Sequence, residues 1–121
     1  MKKLEEELII KEFKPVTILK DDTELEGEIN FRETLEIRGK FKGKIKSDGV
    51  LIIAPEAEIE GEIKARIVIL AGAVRGNIEA SEKIDILSTG RLFGDIKTAK
   101  LRIADGVIFE GNCHMLQEKE L

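Results

Sequence analysis

Tryptophan and tyrosine are absent from the 121 residues, and there is one cysteine and one histidine. A lone cysteine, Cys113, cannot close an internal disulfide, so the fold cannot depend on one and a reducing cytoplasm is the simpler setting. A lone histidine, His114, excludes any site that needs two or three imidazoles. No apolar run reaches the length of a membrane span, and no secretory signal opens the chain. Neither a Walker loop nor a dinucleotide fingerprint is present; Gly39-Lys40-Phe41-Lys42-Gly43-Lys44 has the wrong spacing for the former. No cofactor, metal or nucleotide is therefore expected, and no catalytic residue emerges. The net charge of −4 argues against nucleic acid as an obligate partner. All five aromatics are phenylalanine, which suits a narrow core filled by aliphatic side chains.

What the chain does have is a repeat. Gly-x-Ile occurs at Gly27-Glu28-Ile29, Gly43-Lys44-Ile45, Gly61-Glu62-Ile63, Gly76-Asn77-Ile78 and Gly94-Asp95-Ile96, and closes as Gly111-Asn112-Cys113. The steps are 16, 18, 15, 18 and 17 residues. Two positions before each glycine stands a large apolar residue: Leu25, Phe41, Ile59, Val74, Leu92 and Phe109. A second apolar pair precedes each unit, read as Leu35/Ile37, Leu51/Ile53, Ile67/Ile69, Ile84/Ile86 and Leu101/Ile103, with Thr17 and Leu19 as a weaker first copy. Alternation with period two means strand, and the small residues between stretches (Gly39, Ala57, Gly72, Gly90) mean sharp bends.

A unit of this size is too short for a propeller blade or a helical repeat. It fits one turn of an all-β, three-sided parallel β-helix, or solenoid, of about six coils. Six coils at strand spacing make a rod on the order of 29 Å long. In that frame Glu24, Glu26 and Glu28 lie beside Lys40, Lys42 and Lys44, and these beside Glu58, Glu60 and Glu62. The basic stretch from Arg38 to Lys46 therefore reads as one rung of a neutralised ladder rather than a phosphate-binding stripe. Cys113 takes the slot of the inward isoleucines and is expected to be a buried thiol.

The ends of the rod matter most for function. A solenoid exposes an unpaired edge at each end, normally covered by a polar or helical cap, and too few residues follow the last repeat to build one. Val107, Ile108, Phe109, Cys113 and Met115 in the last coil, and Val16 and Ile18 at the start of the first, leave apolar termini. End-to-end self-association is expected.

Gly94-Asp95-Ile96 and, above all, Leu101-x-Ile103-x-x-Gly106-x-x-Phe109-x-Gly111-x-Cys113-x-Met115 closely resemble the bactofilins, over about residues 17 to 115. The resemblance implies a right-handed solenoid and a bacterial structural protein. Such a protein forms non-polar, nucleotide-independent filaments by joining like ends, and it scaffolds cell-shape or cell-wall machinery. Its partners would be itself, cell-wall enzymes and the inner face of the cell membrane, with a cytoplasmic location. It also implies that Phe109 is a polymerisation contact, with Val107, Ile108, Met115, Val16 and Ile18 as its neighbours at the ends.

Residues 1–15 are read as an N-terminal tail, disordered in the monomer, with 16–115 as the β-helix and 116–121 as a C-terminal tail. Bactofilin tails are often longer and proline-rich, whereas the only proline in these tails is Pro15. The N-terminal tail balances four lysines against four glutamates and offers anionic lipid no net attraction. Its Leu4, Leu8, Ile9, Ile10 and Phe13 are the alternative membrane contact, since Leu4/Leu8 and Ile9/Phe13 suit a brief amphipathic helix. Two rivals remain: a monomeric solenoid binding module, and an enzyme on a left-handed hexapeptide solenoid. The second would keep eighteen-residue coils and mid-solenoid histidines.

Overall fold

The structure, a computed structural model, describes residues 17–116. Eleven strands follow one another: β1 (Thr17–Leu19), β2 (Glu24–Phe31), β3 (Thr34–Ile37), β4 (Lys40–Ser47), β5 (Val50–Ile53), β6 (Glu58–Leu70), β7 (Ala73–Ile86), β8 (Arg91–Phe93), β9 (Ile96–Ile103), β10 (Ile108–Glu110) and β11 (Cys113–Met115). Every pairing is parallel and joins residues one coil apart. The product is the expected β-solenoid of about six turns. Each coil has three sides: one before the repeat glycine, one after it, and a third formed by β1, β3, β5 and the last stretches of β6, β7 and β9.

The repeat glycine has a steric cause. Gly43 and Gly61 both adopt φ of 136°, which an L side chain rarely takes. They also stack coil on coil, so that a Cβ on Gly61 would lie 1.8 Å from the Gly43 carbonyl oxygen. Only a residue without a side chain lets the corner turn and the next coil close on it. The stacking is seen in the register, where Gly27, Gly43, Gly61 and Gly76 are successive partners.

Coil lengths differ because the corners absorb residues. The offset between partners changes from 15 at Ala65/Ala80 to 16 at Ile67/Lys83, and from 18 at Ala80/Thr98 to 17 at Lys83/Lys100. The fourth coil thus carries one residue more than either neighbour at the Ser81–Glu82 corner, where Arg66 Nη1 donates to Glu82 at 3.2 Å.

The same accommodation corrects one sequence expectation. Val68 and Leu70, not Ile67 and Ile69, pair with Leu51 and Ile53 below and with Ile84 and Ile86 above. The stretch Ile67-Val68-Ile69-Leu70 is apolar at every position, so alternation cannot say which pair points inward. Corner length decides it, and Ile67 and Ile69 face out.

The interior is a set of apolar columns. One runs Phe41, Ile59, Val74, Leu92; another Ile45, Ile63, Ile78, Ile96; a third Ile37, Ile53, Leu70, Ile86; all are buried. Each such side chain stabilises the fold by roughly 1.5–3 kcal/mol through removal from water. The columns also fix register, because a one-residue slip would turn the whole set outward.

Outside, the charged ladder is in place. Lys40, Lys42 and Lys44 lie between Glu24, Glu26 and Glu28 on one side and Glu58, Glu60 and Glu62 on the other. Lys40 Nζ is 3.8 Å from Glu58 and Lys44 Nζ 4.0 Å from Glu62. Arg38, at the head of the basic stretch, donates to Glu36; that hydrogen bond, with the Glu36 charge, raises the Arg38 pKa further. Where the ladder lacks an acid–base pair other devices take over. The Arg75 guanidinium sits 4.6 Å from the centre of the Phe93 ring, and Asn112 N–H donates to Asp95 Oδ1 at 3.0 Å.

Candidate polymerisation interface

Every interior column is closed in the middle of the rod and opens at its tips. The column that ends in Phe109 begins at Leu25, which is 41% exposed, while the four residues between them are buried. Ile103, the last member of the third-side column, is 45% exposed although its partner Ile86 is fully buried. Met115 stands above the buried Thr98 and is 46% exposed. These side chains match core residues in chemistry and direction, and they lack only a further coil to cover them.

The backbone tells the same story. β1 pairs only with β3 and β2 only with β4, so both present a free edge at the N-terminal tip. β10 pairs only with β8 and β11 only with β9, and these do the same at the C-terminal tip. No described strand lies across either end. Unpaired N–H and C=O rows beside exposed apolar side chains form a template for another chain.

The residues named from the sequence fall into two groups. Phe109 and Val107 are half-buried and pack against the last inward residues of the core. Met115 extends an inward column. Ile108, by contrast, pairs with Arg91 and points to the side wall, exposed at the C-terminal rim. Ile18 pairs with Glu36 and starts an outward column on the third side, 44% exposed. Val16 and the five tail residues Leu4, Leu8, Ile9, Ile10 and Phe13 lie outside the described residues, as do the tails themselves.

One expectation is overturned. Cys113 occupies the inward register slot above Ile96 yet is exposed, because no described coil lies above it. Its Sγ lies 3.6 Å from Met115 Sδ, so two soft, polarisable groups sit together on the open tip. Leu25 and Ile103 were missed as tip residues. The signal was there: each is the first or last member of a column legible in the repeat.

The remaining surface offers little for chemistry. An open groove runs along the glycine corner, lined by Lys44, Glu62, Asn77, Asp95 and Asn112, with His114 at one end. Among the described residues no three acidic, histidine or cysteine side chains gather where an ion could sit. Among them, too, no helix is long and apolar enough to cross a membrane.

Comparison with known proteins agrees with this geometry. A family model described as "Bactofilin: Polymer-forming cytoskeletal" matches residues 17–114. Two proteins of Myxococcus xanthus (strain DK1622) are similar. Bactofilin BacO is 38% identical over 99 residues, covering 82% of this chain and 79% of the relative. Bactofilin BacP is 31% identical over 91 residues, covering 75% of this chain but 38% of the longer relative. Among solved structures, a cryo-EM reconstruction of Thermus thermophilus bactofilin double helical filaments superposes with a TM-score of 0.78 at 31% identity, covering 81% of this chain and 97% of that one. The solenoid, its open tips and these matches place the chain in the bactofilin family of polymer-forming cytoskeletal proteins, which are structural rather than catalytic.

Proposed function

We propose that this chain polymerises tip to tip, without nucleotide, into non-polar filaments that scaffold cell-shape or cell-wall machinery on the cytoplasmic side of the membrane. The observation that carries the proposal is the exposure of interior columns at the two ends of an otherwise closed core. Burying those ends against another copy extends both the apolar columns and the hydrogen-bond ladder, in the way each coil already does for its neighbour. Nothing in such a contact consumes or requires a nucleotide. The Thermus filament, built from a similar chain, supports the assembly.

The test is Phe109→Arg. A guanidinium at the open end of the Leu92 column would have to be desolvated against an apolar tip, at a cost of several kcal/mol. It leaves the closed coils beneath intact, so circular dichroism should stay β-rich. The expected result is a folded protein that no longer forms filaments by negative-stain microscopy in nucleotide-free buffer. Filaments from the variant equal to those of the parent would refute the tip-to-tip assembly. In filaments of a Phe109-intact variant carrying Lys97→Cys and Cys113→Ser, first shown to assemble like the parent, gold on the new cysteine should appear as close pairs every second subunit. Single labels at every subunit would refute non-polar joining.

A further inference from the structure

The first side, the one before the repeat glycine, carries its charge in a regular order. Over the first four coils its two outward columns read Glu24, Lys40, Glu58, Ala73 and Glu26, Lys42, Glu60, Arg75. All but Ala73 are exposed. The sign therefore runs negative, positive, negative, positive from coil to coil. The ends of the series are unpaired. Among the described residues Glu24 and Glu26 make no ion pair, and the Arg75 guanidinium lies by the Phe93 ring rather than by a carboxylate. A series that alternates in sign over an even number of coils is complementary to its own reverse.

We infer that this face is a lateral interface, on which a second copy of the chain docks about a two-fold axis lying between the second and third coils. The inference rests on the tip-to-tip reading, because a filament presents the face many times over. The axis runs along the strands in the plane of contact. It sets the first coil on the fourth and the second on the third, and it keeps each column facing itself. Glu26 then meets the partner copy's Arg75, Lys40 meets Glu58, and Lys42 meets Glu60, each contact made twice by symmetry. Lys40 and Glu58 already approach to 3.8 Å within one copy, so docking closes a square of alternating charges and breaks no existing pair. Other placements set like charge on like. An axis along the rods puts each coil on itself and Glu24 on Glu26. Shifting the chosen axis by half a coil, onto the second or the third, sets that coil's charges on their own copies. On the side after the glycine the same operation sets Lys46 on Lys64, which are partners of the second and third coils. Exposed pairs of this kind are weak one by one, so two isolated subunits stay apart and the contact holds where a filament repeats it.

The test uses the full-length chain and negative-stain microscopy, scoring the share of filament length that lies in side-by-side pairs. In about 0.1 M NaCl the parent should be mostly paired. Raising NaCl to about 1 M, which shortens the screening length from about 10 Å to about 3 Å, should part the pairs into single filaments. Pairs that survive high salt would overturn a contact built on charge. Arg75→Glu sets a carboxylate against Glu26 and should cut the paired share at least about fivefold in low salt. Adding Glu26→Arg to that variant should bring pairing back. Glu26 and Arg75 lie three coils apart in one copy, about 14 Å at strand spacing, so the rescue can come only from contact between copies. Pairing undiminished in the single variant, or unrestored in the double, would overturn the inference. A β-rich circular dichroism spectrum and the presence of single filaments show that each variant is folded. Single filaments from the parent in low salt would overturn lateral docking alone, whereas no filaments at all would overturn the tip-to-tip reading and this inference with it.

Discussion

Replacing Gly27 and Gly61 by alanine separates two effects that coincide in every other repeat glycine. Gly27 has φ of 137° and Gly61 of 136°, so the backbone strain of an added Cβ is the same at both. It amounts to about 1–3 kcal/mol for an L residue held in that region. Their surroundings differ completely. A Cβ at Gly27 meets nothing within 4 Å, and no described strand pairs with β2 on that side. At Gly61 it would lie 1.8 Å from the Gly43 carbonyl oxygen and 2.8 Å from its carbon, both backbone atoms that no rotamer change can move. Relief requires the two coils to part locally, which breaks ladder hydrogen bonds and opens the packing of Phe41 against Ile59 and of Ile45 against Ile63. The further loss should carry the total past the 4–5 kcal/mol that single substitutions rarely exceed. For a described domain of this size 1 kcal/mol shifts the melting temperature by about 4–8 °C. Gly27→Ala should therefore melt roughly 4–24 °C below the parent, and Gly61→Ala lower still or fail to fold. The assay is thermal circular dichroism at matched protein concentration, since self-association raises apparent stability. Equal losses at the two positions would refute the claim that coil contact, rather than φ alone, demands glycine.

Gly27 carries a second consequence, because its open Cβ position faces the N-terminal tip: Gly27→Ala should slow filament growth measured by light scattering even where the subunit is folded. Lys42→Glu puts a third carboxylate between Glu26 and Glu60 and should cost about 0.2–1 kcal/mol, with Glu60→Lys partly restoring stability in the double variant. The coupling should shrink in 1 M salt, where the screening length is about 3 Å, and strictly additive denaturation midpoints would contradict the register. Val68→Asp should abolish folding, whereas Ile69→Asp should leave the β-rich spectrum in place, because the first side chain points into the closed core and the second out of it. The reverse order in urea titrations would mean that the inward pair was the one read from the sequence.

Much of this molecule is legible in the chain because a solenoid repeats one local rule. Glycine every 15 to 18 residues marks the corner that only glycine can turn, and the apolar residues two before and two after it must share the interior. From that alone follow the stacking of Phe41 on Ile59 and Ile45 on Ile63, the acid–base ladder, and the existence of two open tips. Three things were decided only in three dimensions. Which of the four apolar residues from Ile67 to Leu70 face inward depends on how many residues a corner absorbs, and periodicity carries no such count. Whether Cys113 is buried depends on the presence of a coil above it, which is a property of the rod's end and not of the slot. That Ile52 and Ile69 are buried although they point out of the rod is a property of the third side as a whole and not of the local pattern. Local sequence sets the shape of one coil; position within the stack sets which surfaces stay wet.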